Sequence, residues 1–257
     1  MAVAIFSDVH GNLPALDAVL ADIGERRVDA IFCLGDLVGY GASPNEVVAR
    51  VRDARIPTLV GNYDDGVGHD RDECGCAYRE EAQRRLGDES LRWTRAHVTP
   101  EHKAFLRALP FEIRVEIEGR RVLLVHGSPR KLNEYLFEDR PDASFARLAA
   151  GSSADVIVFG HTHLPYAKRI DDVWFVNAGS VGKPKDGDWR ACYTILDPGS
   201  TPPAAFVRVE YDVARAAAAI RESGLPDAFA VDLETGGRAV SRTTQGEGLR
   251  RAPGGTA

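Results

Sequence analysis

The sequence predicts an α/β protein with a helix-covered parallel sheet in its first part and a mixed or antiparallel sheet in its second. Strand and helix patterns alternate over the first sixty residues, and short strands with tight turns dominate after Phe111. The composition is that of a globular chain, with 44% hydrophobic and 27% charged residues among 257. These figures exclude wholesale disorder and a coiled coil.

The first sixty residues have the order β-α-β-α-β. The predicted strands are the apolar runs Ala2–Phe6, Ala30–Leu34 and Thr58–Val60. A helix begins at Asn12, and Ser43-Pro44 followed by Glu46 predicts a capping box for a second helix. Strands that are connected through helices lie parallel in one sheet.

The stretch of about 64–109 is polar, rich in Arg and Glu, and is predicted to be an inserted helical cap. Strands then return, and Phe111 to Ile117 alternates strictly between apolar and charged residues. A C-terminal strand and a helix capped by Asp212 are predicted over about 203–224. Residues 236–257 are expected to form a disordered tail, because Val240 and Leu249 are the only large aliphatic residues there. The other predicted strands are Arg121–Val125, Val156–Phe159, Tyr166–Ile170, Val173–Val176 and Ala191–Leu196.

Charge and cysteine content narrow the class of protein. The formal net charge of −6 argues against a protein that coats long nucleic acid. No apolar run reaches the roughly 20 residues of a membrane helix, and the first ten residues lack a secretory signal. The four scattered cysteines predict reduced thiols in a cytoplasmic protein. Cys74-Gly75-Cys76 has no second pair, which disfavours a zinc knuckle and leaves a structural or redox thiol.

Residues able to bind metal follow five predicted strands at their carboxyl ends. Ligand sites in open α/β sheets lie beyond these ends, so we expect the side chains to meet in one place. Each residue alone has a structural alternative: a strand-end Asp can cap a helix, and His126 could be a hydrogen-bonded core residue. Their joint occurrence favours a metal site. The candidate ligands are Asp8, His10, Asp36, Asn62, His126, His161 and His163.

The order of these motifs resembles that of the calcineurin-like metallophosphoesterases over about residues 1–197. Gly127–Arg130 and Asn177–Ser180 are similar to a bacterial branch of stand-alone phosphodiesterases and phosphatases. The resemblance implies a metallophosphoesterase domain over about 1–232. It would be a four-layer α-β-β-α sandwich of two mixed sheets with a small helical cap insert. The matching motifs are Asp8-x-His10, Gly35-Asp36, Gly61-Asn62, His126-Gly127 and Gly160-His161-x-His163.

The resemblance also implies two divalent metal ions bridged by Asp36. One ion would take Asp8, His10, Asp36 and His163, and the other Asp36, Asn62, His126 and His161. Imidazole and carboxylate ligands suit Mn or Fe, with Zn, Ni and Mg as alternatives. The implied reaction is hydrolysis of a phosphate ester by a metal-bridging hydroxide.

Catalytic and substrate contacts are expected from three residues. Asn62 could point its amide NH₂ at the phosphate. Tyr63 stands where much of the family has His, and a phenol protonates a leaving group poorly, so activated esters should react best. His69, His97 or His102 could replace that acid. Arg130 could grip phosphate, or it could be an ordinary surface residue.

These expectations favour a cytoplasmic phosphodiesterase that acts on small phosphate esters. One alternative is a nucleotide or dinucleoside-polyphosphate phosphatase, or a nuclease. Another is a non-catalytic scaffold of the same fold, although scaffolds tend to lose the histidines that this chain keeps. The sequence is compatible with an oligomer and leaves the substrate and the native metal open.

Overall fold

The computed structural model describes residues 2–78 and 80–238. The strands are β1 (Val3–Phe6), β2 (Ala30–Cys33), β3 (Glu112–Ile117), β4 (Arg120–Val125), β5 (Val156–Phe159), β6 (Tyr166–Ile170), β7 (Val173–Asn177), β8 (Ala191–Leu196) and β9 (Ala204–Val209). The helices are α1 (Leu13–Glu25), α2 (Pro44–Asp53), α3 (Asn62–Gly68), α4 (Glu81–His97), α5 (Pro100–Arg107), α6 (Asp142–Ser152), α7 (Val213–Glu222) and α8 (Asp227–Thr235).

The strands form two mixed sheets. The first has the order β2-β1-β8-β9, in which β1 and β2 are parallel and the other pairs are antiparallel. The second has the order β3-β4-β5-β7-β6, with a parallel centre (β4, β5, β7) between antiparallel edges. The parallel pairs β1–β2 and β4–β5 matter for function, because their carboxyl ends carry the polar motifs.

Three apolar cores separate four layers. Residues of β1 alternate between two of them: Ala4 and Phe6 pack with α1, α2, α7 and α8, while Val3 and Ile5 pack against the second sheet. The far side of the second sheet packs on α6 through residues such as Phe145. Alternating strand faces thus build a helix-sheet-sheet-helix sandwich. The predicted fold class is confirmed.

Two local predictions are wrong. Thr58–Val60 forms no strand: Thr58 makes an isolated parallel bridge to Cys33, and the Val60 N–H donates to the carbonyl of Pro110, away from the sheet. The capping box is absent because the Ser43 side chain makes no capping hydrogen bond. The Ser43 N–H donates instead to the carbonyl of Gly11, which ties the start of α2 to the loop after β1.

The predicted insert contains α4 and α5, which pack beside the first helical layer. The N–H of Tyr40 donates to Ser90 Oγ, and the indole N–H of Trp93 donates to the carbonyl of Ser223.

In the C-terminal part of the described chain, Asp212 caps α7 by accepting from the Arg215 N–H, as predicted. The helix α8 was not expected. The predicted tail lies, from residue 239 onward, outside the described residues.

Candidate metal centre

Buried side chains at the ends of β1, β2, β4 and β5 form two groups. Within each group the candidate ligand atoms all lie within 4.8 Å of one another. Between them, Asp36 Oδ2 lies 3.6 Å from His10 Nε2 and 3.5 Å from His126 Nε2. Asn62 Oδ1 lies 3.2 Å from His126 Nε2. The structure therefore brings all seven predicted ligands to one edge of the sandwich. The two groups are Asp8, His10 and His163, and Asp36, His126 and His161.

Tight turns hold these side chains. Five ligand residues have a left-handed backbone with φ between 49° and 64°, a region that Asp, Asn and His tolerate better than most other residues. Gly61 and Gly160 let the turns approach closely, because a Cβ would lie 2.1 Å from Asp36 Oδ1 at the first position and 2.1 Å from Ser7 Oγ at the second. The five residues are Asp8, His10, Asp36, His161 and His163.

Backbone carbonyls orient three of the imidazole rings. A carbonyl can only accept, so Nδ1 carries a proton in each ring and Nε2 faces the centre. Burial lowers the pKa of His10 to about 4 and that of His163 well below its ordinary value, which keeps both rings neutral. The pairs are His10 Nδ1 with Val38 O at 3.0 Å, His126 Nδ1 with Leu34 O at 2.9 Å, and His163 Nδ1 with Lys183 O.

This donor set fits cations. His10 Nε2 and His163 Nε2 lie 3.3 Å apart, and two lone pairs of neutral rings repel at that distance unless a positive charge lies between or beside them. Asp8 Oδ1 and His161 Nε2 are buried without a hydrogen-bond partner among the described residues. Buried polar atoms are nearly always satisfied, so these atoms suit metal ligands.

The charges of the cluster also indicate a cation site. Burial raises the pKa of Asp8 to about 6, since water is excluded from the carboxylate. Burial alone would lower the pKa of His126, but the adjacent Asp36 carboxylate, with Asp8 and the carbonyl of Leu34, outweighs it and raises that pKa to about 10. The acidic side chains therefore attract positive charge, and a metal ion would compete with the proton on His126.

Asp64 is a site residue that the sequence analysis missed. Its buried carboxylate accepts from the N–H groups of Asp36 (2.8 Å), Leu37 (2.9 Å) and Gly61 (3.0 Å). It thereby joins the loop that carries Asp36 to the turn that carries Asn62. Its position in the first turn of α3, after Gly61, is the available sequence signal, because an acid there often accepts from the residue that precedes the helix.

The two predicted catalytic residues both line the open cleft above the ligands. The side-chain NH₂ of Asn62 donates to Cys74 O (3.0 Å) and Cys76 Sγ (3.3 Å), two atoms of the insert. The Tyr63 ring lies edge-on to His10, with ring centroids 5.6 Å apart, and its hydroxyl lies 3.4 Å from that of Tyr78. Burial raises the pKa of Tyr63 well above its ordinary value.

The predicted phosphate contact, Arg130, points elsewhere. Its guanidinium makes a two-pronged ion pair with Glu134, at 2.8 Å and 2.5 Å, and does not line the cleft. Lys185 does line the cleft and forms no ion pair within residues 2–78 and 80–238. The alternative acid His69 contacts Asp65, and His102 contacts Asn45.

The cleft has a volume of about 1070 Å³ and is bounded by the ligands, the insert and α8. Aromatic side chains form much of its wall, and Tyr135 stacks on Phe137 with ring centroids 5.6 Å apart. Glu138 and Asp139 add negative charge to its lining.

None of the described helices is both long and apolar enough to cross a membrane.

The sequence of residues 1–201 matches the family model of the calcineurin-like phosphoesterase superfamily domain. The chain belongs to this family. As a calcineurin-like phosphoesterase it is a metal-dependent hydrolase of phosphate esters, which confirms the resemblance seen in the motifs. The two ligand groups are the residues that fit the divalent metals of this family.

Three relatives of this calcineurin-like phosphoesterase extend the comparison. An uncharacterized protein of Methanocaldococcus jannaschii is 37% identical over 243 residues, covering 88% of this chain and 94% of the relative. The phosphodiesterase YfcE of Escherichia coli is 28% identical over 207 residues, covering 77% and 88%. The crystal structure of a metallophosphoesterase from Sphaerobacter thermophilus superposes with a TM-score of 0.74 at 34% identity, covering 92% and 99%.

Proposed function

We propose that this phosphoesterase is a phosphodiesterase that hydrolyses small phosphate esters with two divalent metal ions. Mn and Fe are the preferred candidates for these ions. The observation that carries the proposal is the position of Asp36, whose Oδ2 lies between His10 and His126 of two separate ligand groups. One carboxylate can thus serve two ions. When bound, a pair of divalent ions activates water and polarises the phosphoryl oxygens.

The chain's own residues prepare this chemistry. Backbone carbonyls fix the rings of His10, His126 and His163, so their Nε2 atoms need no reorientation on loading. The Asn62 amide offers its oxygen to the second ion position, while its NH₂ faces the insert. Contact of that NH₂ with a phosphate would require it to leave Cys74 O or Cys76 Sγ.

Small substrates are favoured by the cleft. Its volume leaves room for a small ester, and Glu138 and Asp139 would repel a long polyanion such as nucleic acid. The stacked pair of Tyr135 and Phe137 favours an aromatic group next to the phosphate. This pair is the specific observation behind the second candidate, a nucleotide or dinucleoside-polyphosphate phosphatase.

Arg130 and Lys185 are the two candidates for binding the substrate phosphate. Arg130 must first break its ion pair with Glu134, whereas Lys185 already faces the cleft. The variants Arg130→Gln and Lys185→Gln should separate them. Substitution of the residue that binds the substrate phosphate should raise KM several-fold, with little change in metal content. Equal KM values for both variants and the parent would exclude both residues.

Tyr63 is proposed to act as a hydrogen-bond donor and a weak acid. Because its pKa is raised, it protonates a poor leaving group slowly. Activated aryl esters should therefore be hydrolysed well and alkyl esters poorly, and Tyr63→Phe should change the alkyl rate most. Comparable rates on both ester classes, unaffected by Tyr63→Phe, would contradict this role.

The decisive experiment is metal reconstitution. Metal-stripped protein is loaded separately with Mn²⁺, Fe²⁺, Zn²⁺, Ni²⁺ or Mg²⁺ and assayed on a panel of mono- and diesters, including nucleotides. We expect two ions per chain and the highest kcat/KM on small diesters. His126→Ala should lose at least one ion and nearly all activity, whereas His69→Ala, a matched change at an exposed His, should keep both. One ion per chain at full activity would contradict the dinuclear proposal.

A further inference from the structure

Two thiols of the insert lie next to each other above the metal centre. Cys74 Sγ and Cys76 Sγ are 3.3 Å apart, closer than two sulfur atoms normally pack. The backbone of Gly75 between them has φ +69°, a left-handed turn that glycine adopts without strain and that places both side chains on one side. All four cysteines of the chain are free thiols.

The same two residues hold Asn62. The Asn62 NH₂ has two acceptors in this segment, Cys74 O and Cys76 Sγ. On its other side, Asn62 Oδ1 lies 3.2 Å from His126 Nε2. The amide orientation at the candidate metal centre is therefore set by the segment that contains both thiols. A change at the thiols reaches the ligand through one hydrogen bond.

The thiol pair can be reached from solvent. Cys74 and Cys76 are half-buried, and Cys76 lines the open cleft. The two other cysteines, Cys33 and Cys192, are fully buried in the core. Oxidation should therefore be selective for the pair, since exposure is needed for attack on an oxidant.

We infer that Cys74 and Cys76 are a site of reversible oxidation, and that their disulfide weakens metal binding through Asn62. The effect on metal rests on the proposed metal centre; the cross-link does not. A hydroperoxide is the oxidant. One thiol attacks its O–O bond, which breaks to give a sulfenic acid and water or an alcohol. The second thiol then attacks the sulfenic sulfur, the S–S bond forms and a water molecule leaves. Two thiol protons and two electrons are transferred in all.

Disulfide formation must disturb the contact with Asn62. An S–S bond is about 2.05 Å long, so the sulfur atoms of Cys74 and Cys76 have to approach by roughly 1 Å. A disulfide sulfur is also a poorer acceptor than a thiol. Asn62 then loses one of the two partners that orient its amide. Loss of an outer partner of a metal ligand typically weakens metal binding about 10-fold or more.

The test uses the full chain, reduced or treated with hydrogen peroxide, and the variant Cys74→Ser, which keeps Cys76 but cannot cross-link. Peptide mass mapping should show a Cys74–Cys76 link, with Cys33 and Cys192 still reduced. Mn²⁺ titration should show about 10-fold weaker binding in the oxidised parent, restored by dithiothreitol. In Cys74→Ser peroxide can convert Cys76 only to a sulfenic acid, so this variant should show no internal link, and its Mn²⁺ affinity should equal that before treatment once arsenite has reduced the sulfenic acid.

Two results would overturn the inference. One is oxidation of the parent without a Cys74–Cys76 link. The other is a linked form that binds Mn²⁺ as tightly as the reduced form. Failure of the reduced parent to bind Mn²⁺ at all is a different outcome: it contradicts the proposed function, and with it the metal effect, while the mass map still decides whether the link forms.

Discussion

At the scale of single residues, the metal centre depends on a carboxylate that would touch no metal. Asp64 accepts from four backbone N–H groups, the fourth being that of Val38 at 3.4 Å, and so fixes the distance between the loops of Asp36 and Asn62. In Asp64→Asn one oxygen becomes an NH₂ that faces N–H donors. We expect unfolding free energy to fall by about 2 kcal/mol and metal affinity to fall 10-fold or more, as measured by urea unfolding and Mn²⁺ titration.

The neighbouring residue provides the control for this substitution. Asp65 pairs with His69 and Arg71 at the surface, so Asp65→Asn should change stability by less than about 0.5 kcal/mol and leave metal affinity intact. Equal effects of the two substitutions would show that Asp64 has no special part in positioning the ligands.

Glu134 gives a prediction with a defined pH dependence. Hydrogen bonds from Arg130, with Ser128 and Arg140 also contributing, outweigh burial and lower the pKa of Glu134 from 4.5 to about 2. A lowered pKa stabilises the fold above the unfolded value near 4.5, and this contribution is lost as the pH falls towards 2. Glu134→Gln should therefore cost about 1–2 kcal/mol at pH 7 and roughly half of that or less at pH 3, by urea unfolding.

The control for Glu134 is Glu112, whose pair with Arg114 is more exposed. Glu112→Gln should cost less than about 0.5 kcal/mol at pH 7. A cost of Glu134→Gln that is the same at pH 7 and pH 3 would contradict the assigned ionisation.

The ligand residues could be predicted because the strand ends carry recognisable chemistry at fixed positions in the chain. Asp64 was missed because its four partners are backbone groups that only the folded loops bring together, and its place in the first turn of α3 is a weak signal by itself. The same holds for Arg130: its spacing from His126 was compatible with a phosphate contact, but Glu134, four residues further on, satisfies the guanidinium first.

At the scale of elements, α8 is anchored beside the metal centre by a buried ion pair. Lys183 Nζ lies 2.6 Å from Asp232 Oδ2, with both side chains 8% exposed. Lys183 also lies over the rings of Tyr40 and Phe229, and its carbonyl accepts from His163. This helix therefore supports the loop that orients a ligand.

Breaking the pair should be costly. Asp232→Asn leaves the Lys183 ammonium buried without its counter-charge, so we expect a loss of about 3 kcal/mol in urea unfolding. The double variant Lys183→Met/Asp232→Leu removes both charges and should recover most of that loss. A double variant as unstable as Asp232→Asn would indicate that packing of α8, and not the unpaired charge, causes the loss.

Sequence patterns predicted most elements but failed where tertiary contacts override local preference. Thr58–Val60 has strand composition, yet Val60 bonds to Pro110 at the end of the insert. The helix α8 was missed because its sequence pattern is short. Two of its buried residues, Asp232 and Phe229, make their contacts with a loop that is distant in the chain.

At the scale of the whole molecule, we expect folding to be independent of metal. Three apolar cores hold the four layers, and the ligands lie at one edge of them. Chelator-treated protein should keep its far-UV circular dichroism and a cooperative thermal transition. Adding Mn²⁺ to about 100 times its Kd should stabilise the fold by about 2.7 kcal/mol and raise Tm by roughly 5–10 °C. An unfolded metal-free chain would contradict this expectation.

The left-handed turns at the ligand positions limit which metal ions the centre can bind. Glutamate and cysteine are ligands in many metalloproteins, but neither is favoured at φ near +55°, whereas aspartate, asparagine and histidine are. The main chain at Asp8, Asp36 and His161 thus admits the same few amino acids that hard and borderline ions prefer. At these positions the backbone therefore disfavours cysteine, and with it the thiolate ligands that soft copper(I) prefers.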